Sequence, residues 1–180
     1  MQTLSTNIPE LTLHVVDVGF ASDLAKLIDN NRSYLREWLP WLDFSTRVAD
    51  SINFLQGCLD AYLERTQCQM AIFLKDELIG MAGFNFINAA NHSADIGYWL
   101  SQEHSGHGYM TEAVKAIIHL GFDEYRLNRI VIKAATNNLP SKAVALRLGF
   151  QHEGTLRQAE RLYSRYHDLE QYSLLQTDWE

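Results

Sequence analysis

The sequence has few cysteines, no surplus of basic residues and no long apolar run. Its two cysteines, Cys58 and Cys68, lack C-x-x-C spacing, which is typical of reduced structural thiols and favours a cytoplasmic protein. Fifteen Lys and Arg against 22 Asp and Glu give a formal net charge of −7, so direct nucleic-acid binding is not expected. No apolar run reaches the length of a membrane span, and the polar residues 1–10 predict no signal peptide.

The hydrophobic periodicity predicts one mixed α+β domain over residues 1–180. Apolar residues make up 47% of the chain, which is enough for a substantial core. The predicted strands cover 11–16, 70–75, 78–87, 94–100, 129–136, 150–157 and 169–175. The predicted helices cover 21–30, 32–39, 50–65, 108–122 and 141–148. In the third helix, after a cap at Asp50, the expected buried face comprises Ile52, Leu55, Leu59, Tyr62 and Leu63. This order indicates a mixed sheet with helices on both faces.

A loop with two glycines precedes the predicted helix 108–122. In Gly106-His107-Gly108-Tyr109, the glycines tolerate positive φ, and the following helix offers N–H groups without acceptors. Such a junction binds phosphate or pyrophosphate, although an ordinary tight turn has the same pattern. The segment lacks the third glycine of a dinucleotide fingerprint and the Gly-Lys-Ser/Thr of a P-loop, which argues against both nucleotide folds.

Four segments together resemble the GNAT acetyltransferase superfamily, and within it the Rim-type enzymes that acetylate ribosomal proteins at an N-terminal serine or alanine. These segments are residues 31–41, 96–100, 106–113 and 141–154, in this order. The resemblance covers essentially the whole chain. It implies the GNAT acyl-CoA N-acyltransferase fold, with a mostly antiparallel twisted sheet, and acetyl-CoA as co-substrate. The seven histidines show no spacing of metal ligands, so no metal site is expected.

The resemblance also implies which residues meet acetyl-CoA. The family's pyrophosphate loop falls on residues 105–110, where Gly108 matches, Ser105 replaces Gln or Arg, and Met110 replaces Gly or Ala. Binding is therefore expected through main-chain N–H groups, with His104 and His107 near the phosphates. The pantetheine arm is expected beside Trp99 and Leu100, and the thioester near Asn138. The expected cofactor-binding residues are Trp99, Leu100, His104, Ser105, Gly106, His107, Gly108, Tyr109, Met110, Thr111 and Asn138.

The expected reaction is direct attack of a neutral amine in a ternary complex. An α-amino group has a pKa near 8, so a modest general base suffices. The resemblance implies Glu160 for this role, although Glu160 could instead be a surface residue or a partner of Arg157 or Arg161. Asp95 is the second carboxylate candidate. Ser141 is expected to donate a hydrogen bond to the departing thiolate, and it is also a candidate helix cap.

The sequence defines the acceptor less well than the donor. The N-terminal amine of a ribosomal protein is the favoured acceptor. The alternatives are a small amine, such as a polyamine or an aminoglycoside, and a non-catalytic acyl-CoA-binding module. Trp38 and Trp41 are expected to line the acceptor groove or to pack on the core. An acidic cleft would favour a polycation, and an open groove would favour a peptide. The oligomeric state is open, with a homodimer as one alternative.

Overall fold

The structure is a computed structural model that describes residues 2–179. Eight strands form one sheet: β1 (Thr3–Ser5), β2 (Leu11–Val15), β3 (Cys68–Leu74), β4 (Glu77–Asn88), β5 (Ser93–Leu100), β6 (Arg129–Ala135), β7 (Gln151–Leu162) and β8 (Arg165–Leu175). They lie in the order β1-β2-β3-β4-β5-β6-β8-β7. Among these strands only β5 and β6 pair in parallel. The prediction of a mixed α+β fold with a mostly antiparallel sheet is confirmed.

Four α-helices cover the two faces of the sheet: α1 (Ala21–Leu35), α2 (Val48–Leu63), α3 (Tyr109–Asp123) and α4 (Leu139–Arg147). Leu24 of α1 and Leu55 of α2 share a buried cluster with Met81 of β4. Ile117 of α3 belongs to a second cluster with Ala82, the next residue of β4. Because successive residues of a strand point to opposite faces, the two helix pairs lie on opposite sides of the sheet.

The predicted break between two helices near residue 31 is wrong. The helix α1 runs without interruption from Ala21 to Leu35, and Pro40 opens a short 3₁₀ segment, Pro40–Phe44. Asn31, which lies between the two predicted helices, donates its side-chain amide to the carbonyl of Leu27 at 2.9 Å. A side-chain amide bonded one turn back leaves the helical main-chain bonds intact, so the polar pair Asn30-Asn31 does not end the helix.

The helix α2 starts earlier than predicted and turns a different face to the core. Asp50 is not the cap; it lies in the first turn and accepts the N–H of Arg47 at 2.9 Å, as in a capping box. Ile52 and Leu63 are 41% and 72% exposed, whereas Ser51 and Cys58 are buried together with Leu55. The predicted buried face was therefore wrong at its two ends, because small residues rather than large ones allow α2 to approach the sheet.

The hairpin of β7 and β8 is longer than predicted and contains a bulge. Between the pairs Leu156–Leu169 and Glu160–His167, β7 carries three residues and β8 carries one. Gln158 in the bulge has φ +50°, and its N–H donates to the carboxylate of Asp168 at 2.7 Å. Glu160, predicted to lie near a polar loop, therefore stands on a strand beyond a bulge, a feature that re-aims side chains.

The parallel strands β5 and β6 separate part-way along their length. Their pairing runs from Ser93–Arg129 to Ile96–Ile132, whereas β5 stays paired with β4 up to Leu100. On the other side, β6 stays paired with β8 up to Ala135. The sheet therefore opens between the last residues of β5 and β6, and main-chain groups on the facing sides are left without a neighbouring strand.

Two further expectations concern the chain as a whole. None of the helices formed by residues 2–179 combines the length and hydrophobicity that a membrane crossing requires. The expectation of a single domain over residues 1–180 stays a prediction, and its two end residues lie outside the described range.

Candidate active site

A cleft with a volume of about 1660 Å³ occupies the opening between β5 and β6. The N-terminal ends of α3 and α4 border one part of it, and the α1–α2 connection and β7 border another. Ser101 N–H donates to the carbonyl of Ile79 on β4 at 2.8 Å. Because main-chain groups alternate in direction along a strand, those of Tyr98 and Leu100 face the opening. They are available to a ligand with amide groups.

The loop before α3 presents unpaired N–H groups to this cleft. Gly106 and Gly108 have φ +83° and +82°, and a Cβ on either would meet open space. The first hydrogen bond of the helix runs from Glu112 N–H to the carbonyl of Gly108 at 3.1 Å. The N–H groups of Tyr109, Met110 and Thr111 thus have no acceptor within the helix, which makes this end suitable for an anion.

The side chains of Ser105 and His104 are directed into the protein and hold the loop. The hydroxyl of Ser105 donates to the carbonyl of Ser101 at 3.1 Å and lies 3.2 Å from the hydroxyl of Tyr34. The Nδ1 of His104 lies 2.6 Å from the hydroxyl of Ser101, and its side chain is 15% exposed. Both residues line the cleft, so their main role in this geometry is to fix the loop on α1 and the end of β5.

Two other residues of the predicted loop site differ in their access to the cleft. The ring of His107 stacks on that of Tyr109 with centroids 5.5 Å apart, and His107 does not line the cleft. Met110 lines the cleft, but the residue is only 9% exposed and its side chain belongs to the core under α3.

A reciprocal hydrogen-bonded pair joins α4 to the separating strand β5. The hydroxyl of Ser141 donates to that of Tyr98 at 3.1 Å, and the hydroxyl of Tyr98 donates to the carbonyl of Ser141 at 2.8 Å. Burial raises the pKa of Tyr98 to about 12, so this phenol keeps its proton. Ser141 does not cap the helix; the cap is Asn138, whose side-chain oxygen accepts Ser141 N–H at 3.2 Å.

Glu160 is a half-buried carboxylate at the edge of the same cleft. Burial raises the pKa of its carboxyl above the ordinary 4.5, while His167 opposite it acts in the other direction. Within residues 2–179 no ion pair joins Glu160 to Arg157 or Arg161. A desolvated carboxylate without a cationic partner is suited to accepting a proton.

The second carboxylate candidate, Asp95, has a different environment. Its Oδ2 lies 2.6 Å from the ammonium of Lys133 on β6. The Asp95 carboxylate is thus already engaged with a side chain of the neighbouring strand. Asp95 lines the cleft, but its geometry indicates an ion pair across the two strands rather than a base.

Aromatic side chains form the wall of the cleft on the α1–α2 side. Trp38 and Trp41 both line it, and the ring of Trp41 lies 6.2 Å from that of Trp99 and 6.4 Å from that of Phe54. Trp41 is still 37% exposed. The two sequence interpretations of Trp41, packing and lining a groove, are therefore compatible, because this ring packs on its neighbours and also lines the cleft.

A family model described as an acetyltransferase (GNAT) domain matches residues 14–151. The chain belongs to the GNAT acetyltransferase family. The ribosomal-protein-serine acetyltransferase of Escherichia coli (strain K12) is 38% identical to this GNAT protein over 163 residues, 91% of each chain. This GNAT protein is therefore an acetyl-CoA-dependent N-acetyltransferase, as predicted.

Two solved structures share this GNAT fold over nearly their whole length. RimL, a ribosomal L7/L12 α-N-protein acetyltransferase in complex with coenzyme A, has a TM-score of 0.93 and 29% identity, and the match covers 98% of this chain and 99% of RimL. The microcin C7 self immunity acetyltransferase MccE, in complex with acetyl-CoA and AMP, has a TM-score of 0.90 and 32% identity, with 93% of each chain covered.

The cleft of this GNAT protein fits acetyl-CoA in its chemistry. Free N–H groups at α3 suit a pyrophosphate, and the opened edge of β5 suits an arm that carries amides. In addition, Oε2 of Glu112, in the first turn of α3, is buried without a partner among residues 2–179 and lines the cleft. A buried acceptor of this kind requires a donor, which a ligand N–H or O–H can provide.

The sequence reasoning did not single out Tyr98 or Glu112 as functional. Tyr98 contacts Ser141 across 43 residues of sequence, and no local pattern indicates this contact. The signal that could have found Tyr98 is the alternation of β5, which directs residues 96, 98 and 100 to one face. Ser141 lies at the start of the helix covering that face.

One group of side chains has the spacing of metal ligands. Glu77, Glu103 and His104 bring ligand atoms within 4.8 Å of one another. Neither glutamate lines the cleft, and Nδ1 of His104 already bonds Ser101. Of the three residues only His104 belongs to the cleft, so the two glutamates are not part of the candidate site.

Proposed function

We propose that the protein acetylates the N-terminal α-amine of a protein, with a ribosomal protein as the acceptor, by direct attack in a ternary complex. One observation carries the proposal. Glu160 forms no ion pair within residues 2–179, is half-buried and has a raised pKa, and it lines the same cleft as Ser141 and Tyr98. The names of the E. coli relative and of RimL, both ribosomal-protein acetyltransferases, support the choice of acceptor.

We assign Glu160 the role of general base. Acetyl-CoA supplies the acetyl group as a thioester whose thiolate departs. At pH 7, deprotonating an α-amino group with a pKa near 8 costs about 1.4 kcal/mol, whereas deprotonating a lysine with a pKa near 10.4 costs about 4.6 kcal/mol. A carboxylate that accepts the proton directly or through one water therefore suits an N-terminus better than a lysine side chain.

We assign Ser141 the hydrogen bond to the departing thiolate. Its hydroxyl donates to Tyr98, so the hydroxyl must rotate to serve the thiolate, while Tyr98 keeps its own hydrogen bond to the Ser141 carbonyl. Thiols have pKa values near 8.5, so a hydrogen bond without full proton transfer is sufficient. Asn138 supports this arrangement by capping α4.

We assign the binding of acetyl-CoA to main-chain groups. The N–H groups that follow Gly108 take the pyrophosphate, and the opened edge of β5 at Tyr98 and Leu100 takes the pantetheine arm. Ser105 and His104 act by holding the loop through Ser101 and Tyr34. The aromatic wall that includes Trp99 borders the acceptor side.

A small polycation is the second candidate acceptor, because the cleft has more acidic than basic residues. Five carboxylates line it, against one lysine and one arginine: Glu37, Asp50, Asp95, Glu112 and Glu160, against Lys133 and Arg147. Two of the carboxylates are already engaged, Asp50 with Arg47 and Asp95 with Lys133. The remaining excess is small for a polycation site, so the protein N-terminus remains the first candidate.

The test is incubation with acetyl-CoA and separate acceptors, followed by mass spectrometry of the products. The acceptors are peptides with N-terminal serine or alanine, a matched peptide with a blocked N-terminus and an internal lysine, and spermidine. We expect acetylation of the free N-termini alone. Preferential acetylation of spermidine or of the internal lysine would overturn the proposed acceptor. A ribosomal acceptor implies a cytoplasmic enzyme, consistent with two buried free cysteines.

A further inference from the structure

Three side chains join the tip of the β7–β8 hairpin to the α1–α2 connection. The hydroxyl of Tyr163, at the tip of the hairpin, donates to the carbonyl of Leu39 in that connection at 3.1 Å. The guanidinium of Arg36 lies 4.0 Å above the Tyr163 ring. Arg36 is itself held by two hydrogen bonds of 2.9 Å to Asp43. We call Arg36, Asp43 and Tyr163 the clasp; it ties the hairpin that carries Glu160 to the α1–α2 connection, and its own residues do not line the cleft.

The sheet has a strip of polar side chains on the face that α1 and α2 leave partly uncovered. Gln69 pairs with Gly83, and Gly83 pairs with Gly97, across β3, β4 and β5. Because cross-strand neighbours share a face, the two glycines leave a gap beside Gln69. The side chain of Asn85 fills it: a Cβ on Gly97 would lie 2.3 Å from the amide nitrogen of Asn85.

The amide of Asn85 is fixed although the residue is exposed. Its oxygen accepts the side-chain N–H of Gln69 at 2.8 Å, and Gln69 is only 9% exposed. The Asp95–Lys133 pair continues the strip onto β6. We call Gln69, Asn85, Asp95 and Lys133 the polar floor, and all four line the same cleft as Glu160.

We propose that the polar floor binds the main chain of the acceptor polypeptide behind its N-terminal residue. This inference rests on the proposed protein acceptor. Glu160 and the floor line the same cleft, so a chain whose amine reaches Glu160 can run from there over the floor. The floor lines the cleft with amide and charged side chains, in contrast to the aromatic wall at Trp99. Main-chain N–H and C=O groups that leave water need such partners, whereas a small amine has no need of them.

The chemistry of the floor predicts recognition that depends on acceptor length but little on acceptor sequence. The side-chain N–H groups of Asn85 can donate to a peptide carbonyl, and the carboxylate of Asp95 can accept from a peptide N–H. Every residue carries the main-chain carbonyl that these contacts use, and every residue except proline carries the main-chain N–H. The floor therefore selects an extended polypeptide, and selection of its first residue is left to the aromatic wall.

The test measures kcat/KM for a series of acceptors that share N-terminal serine: serine amide, and peptides of two, four and eight residues. The variants are Asn85→Asp, which keeps the acceptor for Gln69 and removes the amide donor, and Gly97→Ala, which displaces the Asn85 side chain. Asn91→Asp, in the exposed turn after β4, makes the same chemical change away from the cleft and is the matched control.

We expect kcat/KM of the unaltered enzyme to rise from serine amide to the four-residue peptide. In both cleft variants it should fall about tenfold for the eight-residue peptide. For serine amide, and in KM for acetyl-CoA, the change should be less than about twofold, which also shows that the variants are folded. The control should retain the full dependence on length.

Four results would overturn the inference. A dependence on acceptor length that survives in Asn85→Asp and Gly97→Ala removes the floor as the peptide site and leaves the protein acceptor intact. A change of that dependence in Tyr163→Ala alone means that the chain passes the clasp instead. Equal kcat/KM for serine amide and all peptides excludes an extended site. If no peptide is acetylated at all, the proposed function itself fails and the inference with it.

Discussion

Tyr98 and Ser141 are joined by two hydrogen bonds that run in opposite directions. The serine hydroxyl donates to the phenol, and the phenol donates to the serine carbonyl, at 3.1 and 2.8 Å. The phenol proton is thus used in the hydrogen bond to the Ser141 carbonyl, and burial raises the pKa of Tyr98 to about 12, which keeps the phenol protonated. Tyr98 acts through Ser141 in this arrangement, as a positioning residue.

Tyr98→Phe should lower kcat by about threefold to tenfold, since the lost hydrogen bonds leave the Ser141 hydroxyl without a fixed partner. KM for acetyl-CoA should change by less than about twofold, because main-chain groups carry the proposed binding. Steady-state kinetics at saturating acceptor measure both. Tyr62→Phe, whose hydroxyl bonds Gln2 far from the cleft, is the control. A fall in cofactor affinity with unchanged kcat would contradict the assignment.

Glu160→Gln should lower kcat/KM by about 100-fold, the lower range for loss of a general base. The carboxyl must be ionised to accept a proton, and burial raises its pKa above 4.5. Below that raised pKa, a plot of log kcat/KM against pH for the native enzyme should therefore have a slope of about two. One unit of slope comes from protonation of the acceptor amine and one from protonation of Glu160. The variant should keep a slope of about one.

The pH profile separates a base from a residue that only shapes the cleft. Glu77→Gln, at the exposed start of β4, is the control for removal of one negative charge. Equal slopes in the native enzyme and in Glu160→Gln would mean that Glu160 carries no catalytic proton.

Gly108→Glu should raise the dissociation constant of acetyl-CoA by at least about 100-fold, equivalent to about 2.7 kcal/mol. A side chain at φ +82° strains the loop, and a carboxylate there opposes the phosphates. Isothermal titration calorimetry measures the change. Gly149→Glu is matched in backbone geometry, with φ +80° and open space at Cβ, and it lies outside the cleft. Equal weakening by both variants would show that strain alone is responsible.

Glu153→Gln should destabilise the fold in a pH-dependent way. The guanidinium of Arg129, with help from Gln171 and Ser173, holds the pKa of Glu153 at about 2. A carboxyl whose folded pKa is depressed stabilises the protein above its unfolded pKa of about 4.5, and this contribution is lost as pH falls toward 2. We expect a Tm about 2–4 °C below the native value at pH 7, with the difference shrinking by pH 3.

The control for this stability measurement is Glu64→Gln, because Glu64 is exposed at the end of α2. Its Tm should follow that of the native protein at every pH. A Tm difference for Glu153→Gln that stays constant from pH 7 to pH 3 would mean that the ion pair with Arg129 is not its cause.

Local patterns predicted the elements around the glycine loop. The strand that ends at Leu100, the glycines at 106 and 108 and the helix after them are neighbours in sequence, so local spacing was enough to order these elements; their role in binding acetyl-CoA came from the resemblance. The same reasoning failed at Asn31, where a side-chain bond to Leu27 keeps the helix intact. It also failed on α2, where the approach to the sheet decides which residues are buried.

The acceptor side depends on contacts between distant parts of the chain. The bulge before Glu160 is held by Asp168 from the opposite strand, and the clasp joins Tyr163 to Leu39 across 124 residues. Neither contact has a periodic signal, because each depends on how two elements meet rather than on either one alone. The sequence therefore indicated the residue Glu160 through resemblance, but not the geometry that directs it.

The single parallel pair in the sheet has an electrostatic consequence. Because β5 and β6 run in the same direction, the helices that follow them, α3 and α4, both begin at the same edge of the sheet. Two positive dipole ends therefore converge on one opening of a protein whose formal charge is −7. Phosphate attraction that comes from fixed peptide dipoles at contact distance is screened little by dissolved ions. Acetyl-CoA affinity should thus depend only weakly on salt, even though the surface as a whole repels anions.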